Sequence, residues 1–316
     1  MTATREMTFR HLGKSGLVVS TVGLGCNNFG MRIDEAATKR VVDAALDNGI
    51  TMFDTSDSYS DSELFLGKAL GARRSDVVLA TKFGSDLKGA NGPDWNARGS
   101  RRYIRKAVER SLSRLGTDYI DLYQLHKPDS STPIEETLSA LSELVAEGKI
   151  RYIGNSNFTG WQIAEADWIS RSNGFSRFIS AQNHYNLIDR EAEAEVLPAC
   201  EHFGLGQLPY FPLASGLLSG KYQRGNPAPP GGRIAAWGME AMLSEANFDK
   251  IEALDAFAVE REITLLDVAL GGLASRSSIA SVIAGATTPE QIVANVHAGL
   301  WSPTSEDRDA LEAMLS

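Results

Sequence analysis

The sequence predicts a single domain over residues 1–316 with the fold of a (β/α)8 TIM barrel. Eight short runs rich in apolar and β-branched residues recur along the chain, and segments with helical periodicity separate them. This alternation favours parallel βα units, and eight such units within about 280 residues match a closed barrel. The predicted strands are Thr21–Gly25, Thr51–Asp54, Val77–Thr81, Tyr119–His126, Ile150–Ser156, Phe178–Gln182, Gly206–Tyr210 and Ser281–Gly285.

An extra β-hairpin is predicted before the first barrel strand. Residues 7–19 (MTFRHLGKSGLVV) contain two short β-rich runs around Gly13-Lys-Ser-Gly16. Glycines at both ends of a short polar segment are typical of a hairpin turn. The barrel proper therefore begins only after this hairpin.

The helical segments carry their own start and stop signals. Asp34–Asn48 runs up to Gly49, and Arg101–Leu115 runs up to Gly116, where glycine suits the end of a helix. Two further starts are predicted as capping boxes, Ser60-Asp-Ser-Glu63 and Thr132-Pro-Ile-Glu135, the second with proline at the first helical position. Ser58, Asp57 and Asp61 are accordingly interpreted as structural.

One segment does not follow the alternation of predicted strands and helices. Lys221 to about Ala246 is long and rich in Gly and Pro, which predicts an extended loop after the seventh strand. Beyond the eighth strand the chain is long enough for two or more additional C-terminal helices, the last within Thr304–Ser316.

Composition excludes several function classes. The chain has 40 acidic and 31 basic residues, a net charge of −9, and no basic stripe, which disfavours nucleic acid as a partner. The N-terminus lacks the apolar core of a secretory signal and no apolar run reaches membrane-spanning length, so we expect a cytoplasmic protein without a membrane partner. Cys26 and Cys200 form no CxxC or Cys/His cluster, so we expect free thiols and no metal.

Ionisable residues close three consecutive predicted strands. Asp54 ends the second strand, Lys82 the third and His126 the fourth, while Tyr59 follows directly beyond Asp54. Strand ends meet at the C-terminal mouth of a barrel, so these side chains should converge. A charged lysine beside a tyrosine favours phenolate, which predicts a lowered pKa for Tyr59. The four together predict a general-acid site for carbonyl reduction.

The motifs around these residues resemble those of the aldo-keto reductase family over nearly the whole chain. The similar segments are FDTSDSYS with SELFLGKAL, ATKFG, LHKPD, GNSNF and PYFPLASGLLSGKY. By motif position Asp54, Tyr59, Lys82 and His126 match the catalytic tetrad of the family. The resemblance implies NAD(P)H bound on the barrel, and the chain has no GxGxxG motif that would indicate a separate dinucleotide-binding fold.

The resemblance also implies which residues bind the cofactor. Ser156, Asn157 and Gln182 would hold the nicotinamide carboxamide. Tyr210 would stack under the ring. The pyrophosphate and adenosine would be lined by Leu213, Ser215, Gly216, Ser219, Lys221, Gly285, Thr287, Gln291 and Asn295.

Cofactor preference and substrate contacts are predicted from the loops. Thr287 and Gln291 stand where NADPH-preferring members usually carry basic residues, so Arg233 of the long segment is the candidate phosphate contact. We therefore expect NADP(H), with NAD(H) as the open alternative. Phe29 and Trp95 lie on loops that form the substrate pocket in this family.

Three functions fit this barrel. The first is an NAD(P)H-dependent reductase in which Tyr59 protonates the oxygen of a small-molecule aldehyde or ketone, reversible with the alcohol. The second is a cofactor-binding regulatory or redox-sensing module with little turnover, as in the potassium-channel β subunits of this family. The third is a Schiff-base aldolase with Lys82 as nucleophile. The intact tetrad and the strand-seven motif favour the first.

Overall fold

An N-terminal hairpin precedes the barrel in the computed structural model, which describes residues 6–229 and 231–315. Strands β1 (Phe9–His11) and β2 (Val18–Ser20) are antiparallel. Gly13 in the turn has a φ of +61°, and a Cβ there would lie 2.4 Å from the Gly204 carbonyl oxygen, so the position requires glycine. The predicted hairpin is confirmed, and it packs against the N-terminal end of the barrel.

Eight parallel strands form the central sheet, and strands that follow one another in the chain lie side by side. They are β3 (Val22–Gly25), β4 (Met52–Asp54), β5 (Val78–Phe83), β6 (Ile120–Leu125), β7 (Ile150–Ser156), β8 (Phe178–Gln182), β9 (Gly206–Gln207) and β10 (Val282–Gly285). Strand β10 pairs with β3, and parallel bridges Gln207–Ile279 and Tyr210–Ile283 join β9 to β10. The predicted (β/α)8 barrel is confirmed, although its seventh strand is shorter than predicted.

Helices cover the outside of this sheet, except for the short helix Arg233–Ala236, which lies over the C-terminal mouth. They are α1 (Glu35–Asp47), α2 (Ser62–Leu70), α3 (Arg101–Leu115), α4 (Ile134–Ala146), α5 (Gly160–Asn173), α6 (Val196–Phe203), α7 (Arg233–Ala236), α8 (Glu245–Glu260), α9 (Leu265–Ala274), α10 (Pro289–Gly299) and α11 (Ser305–Leu315). The predicted bounds of α3 are confirmed, because Ser100 caps its first turn and Gly116 ends it with a φ of +63°. Helices α10 and α11 are the predicted C-terminal additions.

The predicted capping box at Thr132 is wrong. The Thr132 hydroxyl donates to the Asp129 carboxylate instead of capping the helix. Helix α4 begins at Ile134, so Pro133 lies just before the first helical residue. A nearby carboxylate has outcompeted the local backbone for this hydroxyl.

The predicted capping box at Ser60 is also wrong. Ser60 has a φ of +48°, and its hydroxyl donates to the Gly30 carbonyl. Glu63 points inward and accepts a hydrogen bond from Thr81 at 2.6 Å, so it does not reach back to the helix start. Long-range contacts therefore set the chain path between β4 and α2.

The segment 221–246 is only partly the extended loop that the sequence predicts. Its first half has no regular secondary structure among the residues described, but α7 follows at Arg233 and a 3-10 turn follows at Glu240–Met242. Helix α8 then begins at Glu245. The residues near Arg233 are thus held in a short helix over the C-terminal mouth of the barrel.

Candidate active site

A cleft of about 920 Å³ opens at the C-terminal ends of the strands. Asp54 is the last residue of β4, Lys82 lies near the end of β5, and His126 follows β6 directly. Tyr59 lies in the loop between β4 and α2. The strand-end positions predicted from the sequence are thus brought to one mouth of the barrel.

A buried ion pair anchors the site. The Lys82 ammonium lies 2.6 Å from the Asp54 carboxylate, and their side chains are 0% and 4% exposed. Lys82 also donates to the Thr55 carbonyl at 2.9 Å. The other Asp54 oxygen accepts from Gln182 at 3.0 Å and from Gln124 at 3.3 Å. A buried charge pair persists only with such additional hydrogen bonds, and here both partners have them.

The negative charge of Asp54 stabilises the charged form of Lys82. Burial by itself would lower the pKa of Lys82, but the Asp54 carboxylate and Tyr59 more than compensate, so the pKa lies above its ordinary value. Lys82 is therefore an ammonium at neutral pH. A cation fixed in this way can polarise a neighbouring hydroxyl without itself exchanging a proton.

Tyr59 lies directly against this cation. The Lys82 nitrogen is 5.1 Å from the centre of the Tyr59 ring. Burial raises the pKa of Tyr59, and the opposing effect of Lys82 is too small to reverse the shift. The predicted lowering of this pKa is wrong, because the sequence does not reveal how deeply the hydroxyl is buried. Tyr59 therefore holds its proton across the neutral range.

His126 is the fourth member of the cluster. Its ring lies edge-on to Tyr59, with centroids 5.7 Å apart. Its Nδ1 atom lies 3.1 Å from the Ser56 hydroxyl and 3.0 Å from the Ser85 hydroxyl. Burial, together with Lys82 and Lys127, lowers the pKa of His126 to about 3. The imidazole is accordingly neutral, and the two hydroxyls fix its orientation.

Three polar neighbours of the tetrad were missed by sequence reasoning. Ser56 and Ser85 hold His126, and Gln124 holds Asp54. Gln124 carries a readable signal, because it is, with Asp121, one of two strongly polar residues in a buried strand. The two serines carry none, since short hydroxyl side chains are common in any loop.

All fourteen residues predicted to bind the cofactor line the cleft. They are Ser156, Asn157, Gln182, Tyr210, Leu213, Ser215, Gly216, Ser219, Lys221, Arg233, Gly285, Thr287, Gln291 and Asn295. Asp54, Tyr59 and His126 line its inner end, and Lys82 lies behind Asp54. The cleft thus runs from the tetrad past the ends of β7 to β10.

The first of these residues form a connected network. The Ser156 hydroxyl donates to the Gln182 carbonyl at 2.8 Å, and the Tyr210 hydroxyl donates to the Asn157 amide oxygen at 2.8 Å. The Asn157 nitrogen in turn donates to the His126 carbonyl at 2.9 Å. These bonds hold the Tyr210 ring at the wall of the cleft, beside the tetrad.

Four cations line the cleft, Arg32, Lys127, Lys221 and Arg233, and none of them forms an ion pair with a carboxylate in the described part of the chain. Arg233 is stacked against Phe211 and Trp237, with its guanidinium carbon 5.3 and 4.8 Å from their ring centres. Burial, with Arg32 adding repulsion, lowers the pKa of Arg233 to about 10. Uncompensated cations in a cleft favour a polyanionic ligand.

The remainder of the cleft is suited to a dinucleotide. The Lys221 ammonium lies beside the backbone of Gly216. A Cβ added to Gly216 would lie 3.1 Å from the Lys221 nitrogen. Gly216 has a φ of +98°, so its backbone is exposed to close approach. A long cleft with an aromatic wall near one end and cations along its length fits the nicotinamide ring and the phosphates of NAD(P)(H). The residues present therefore fit this group.

The aldo/keto reductase family model matches residues 21–315. The chain belongs to this family. The resemblance read from the motifs is confirmed, and the protein is an oxidoreductase of the aldo/keto reductase type.

Curated relatives agree with this assignment. The uncharacterized oxidoreductase YrpG of Bacillus subtilis is 38% identical over 90% of this chain and 89% of its own length. The versiconal hemiacetal acetate reductase of Aspergillus parasiticus is 36% identical over 90% of each chain. A probable voltage-gated potassium channel subunit beta of Arabidopsis thaliana is also 36% identical, over 92% of this chain and 91% of its own.

Two predicted substrate contacts lie outside the cleft of this aldo/keto reductase. Phe29 is fully buried in the main hydrophobic core, and Trp95 is 71% exposed and stacked under Arg102. Neither lines the cleft, because the loop after β3 turns Phe29 inward and the loop after β5 carries Trp95 outward. Phe211 and Trp237 line it instead, together with Tyr59 and Tyr210.

The part of the chain that the structure describes carries neither a metal cluster nor a membrane-spanning helix. It contains no group of three or more His, Cys, Asp or Glu side chains placed to hold a metal ion. None of its helices combines the length and apolar character needed to cross a membrane. Cys26 and Cys200 are buried free thiols, as expected.

Proposed function

We propose that this aldo/keto reductase reduces the carbonyl group of a small aldehyde or ketone with NADPH, and that Tyr59 is the general acid. The observation that carries the proposal is the buried Asp54–Lys82 pair in contact with the protonated Tyr59 ring. When bound, the nicotinamide supplies the hydride for the carbonyl carbon. The remaining chemistry falls to the residues of the chain.

The proton comes from the Tyr59 hydroxyl. Its raised pKa keeps the proton in place until negative charge develops on the substrate oxygen. The Lys82 ammonium then stabilises the phenolate that remains, and Asp54 holds Lys82 in position. This division of roles explains why a lysine and an aspartate are buried together at the floor of the cleft.

His126 positions the carbonyl oxygen. With Nδ1 directed at the Ser56 and Ser85 hydroxyls, the imidazole offers its other nitrogen to the cleft. A neutral imidazole can donate a hydrogen bond from that nitrogen without adding a competing positive charge. The carbonyl oxygen would then lie between two donors, Tyr59 and His126.

The free cations support NADPH over NADH. The 2′-phosphate of NADPH adds about two negative charges, and Lys221, Arg32 and Arg233 have no carboxylate partner in the described ranges. Arg32 donates to the Gly231 carbonyl at 2.6 Å and thereby links the loop after β3 to the segment that carries Arg233. Binding of the cofactor would relieve the repulsion among these cations.

A direct experiment is titration of the tryptophan fluorescence with NADPH and NADH, followed by a carbonyl panel with the tighter binder. Trp237 lines the cleft and provides the signal. We expect tighter binding of NADPH and turnover of at least one aldehyde or ketone. Tight cofactor binding with no turnover on a broad panel would favour the regulatory module suggested by the potassium-channel relatives.

A further inference from the structure

An imidazole lies behind the aromatic wall of the cleft. The His184 ring is stacked on Tyr210, with centroids 5.5 Å apart and planes inclined by only 16°. Tyr210 lines the cleft, whereas His184 does not. The two residues are also joined by a parallel backbone bridge, so their rings are held together by main-chain contacts. His184 is therefore a fixed second layer behind Tyr210.

The hydrogen bonds of Asn186 fix the protonation state of this imidazole. The Asn186 amide oxygen accepts from the backbone nitrogens of Ile188 and Asp189, both at 2.9 Å. Its nitrogen donates to the Phe211 carbonyl at 3.2 Å. The amide cannot be reversed without losing all three bonds. Its nitrogen must therefore be the donor in the 3.2 Å contact with His184 Nε2.

This assignment leaves His184 neutral, with its proton on the other nitrogen. His184 Nε2 accepts from Asn186, so Nδ1 carries the hydrogen. Nδ1 lies 2.8 Å from the Asp189 carboxylate, which accepts that hydrogen. A carboxylate bonded to Nδ1–H increases the electron density of the imidazole ring. His184 thus presents an electron-rich face to Tyr210.

The negative charge of Asp189 also acts on Tyr210 itself. Burial is the main cause that raises the pKa of Tyr210, and Tyr59 and Asp189 add to it electrostatically. The field of Asp189 is therefore felt at the ring that faces the cleft. A ring in such a field attracts cations on its exposed face more strongly than an isolated ring does.

We propose that His184 and Asp189 are specificity-determining residues that favour the oxidised over the reduced nicotinamide cofactor. The inference rests on the proposed function, in which Tyr210 stacks under the nicotinamide. The oxidised ring carries a positive charge and the reduced ring is neutral. An electron-rich stack ending in a carboxylate stabilises only the charged ring. The pair therefore sets the relative affinity for the two oxidation states without touching the cofactor.

Two variants separate the ring from the charge. Asp189→Asn removes the charge while its backbone bonds to Asn186 can remain. His184→Phe retains a flat ring behind Tyr210 but removes the hydrogen bond to Asp189. Asp309→Asn, at an exposed position of α11, is the matched control for loss of one negative charge. Each protein is titrated with NADP⁺ and with NADPH by tryptophan fluorescence.

The readout is the ratio of the two dissociation constants. We expect Asp189→Asn and His184→Phe to weaken the binding of NADP⁺ by about 3- to 10-fold relative to the binding of NADPH. The effect should be smaller at high salt. Asp309→Asn should leave the ratio unchanged. A merely structural role would weaken both forms equally.

If Asp189→Asn and His184→Phe still bound NADP⁺ and NADPH with an unchanged ratio of dissociation constants, this inference would be overturned and the proposed function would stand. Failure of the wild-type protein to bind either form would overturn the proposed function on which it rests.

Discussion

The Lys82 ammonium and the Asp54 carboxylate lie 2.6 Å apart at the floor of the cleft, and both are almost completely buried. Each partner has a further hydrogen-bonding neighbour, Thr55 for Lys82 and Gln182 for Asp54. The pair therefore contributes both to the stability of the barrel and to the proposed role of Tyr59 as general acid.

Replacing Lys82 should damage both stability and turnover. Lys82→Met leaves Asp54 buried without its counter-ion, which we expect to cost about 3–5 kcal/mol of unfolding free energy and nearly all reductase activity. Urea unfolding and steady-state kinetics measure the two effects. Lys39→Met is the control, because Lys39 is 61% exposed in its ion pair with Asp43 and should lose at most about 1 kcal/mol. Equal losses in the two variants would contradict the assignment.

His126 should remain neutral throughout the usual pH range. Its pKa is lowered to about 3 by burial and by nearby lysines. The unfolded chain takes up this proton below about 6.5 and the native protein does not until about 3, so stability from this group is lost as the pH falls through that window. An NMR titration of the ring, assigned with His126→Asn, should show no transition between about pH 5 and 8. A midpoint near 6.5 would refute the neutral donor.

Asp57 should make stability fall as the pH rises. Burial, with repulsion from Glu63, raises the pKa of Asp57 to about 8. The native state then binds more protons than the unfolded state between about pH 4 and 8, and stability decreases across that interval. We expect Asp57→Asn to flatten this dependence, which a pKa near 8 would make about 5 kcal/mol between pH 4 and pH 8.

Urea unfolding at pH 5 and pH 8 measures the effect of Asp57→Asn. The exposed Asp255→Asn provides the control for a change of net charge. If the free energy of unfolding changed by the same amount between pH 5 and pH 8 in Asp57→Asn and in the wild-type protein, the buried carboxyl would have to be ionised in the native state.

Most of the barrel could be predicted because its signals are local. To place Asp54, Lys82 and His126 at one end of the barrel, only two things were needed. These were the alternation of strands and helices along the sequence and the rule that the C-terminal ends of barrel strands meet at one mouth. The rest depends on tertiary contacts. The Thr132 hydroxyl turned to Asp129, and the pKa of Tyr59 is set by burial, which no local pattern records.

Arg233 should distinguish the two cofactors. Arg233→Ala removes from the cleft a guanidinium that donates only to the neutral side chains of Asn27 and Asn28 among the described residues. We expect NADPH to bind about 10- to 30-fold more weakly, with a smaller loss for NADH. Arg102→Ala is a matched control, since Arg102 also stacks on a tryptophan but lies outside the cleft. Equal losses for both cofactors in Arg233→Ala would place its contact on the shared pyrophosphate instead of the 2′-phosphate.

The general acid is tested most directly by Tyr59→Phe, which removes only the hydroxyl from the ring beside Lys82. The measurement combines NADPH binding by fluorescence with the single-turnover rate of carbonyl reduction. We expect nearly unchanged binding of NADPH and a single-turnover rate reduced by about 10²- to 10⁴-fold. A Tyr59→Phe variant that binds NADPH and reduces the carbonyl at the wild-type rate would contradict the proposed role of Tyr59 as general acid.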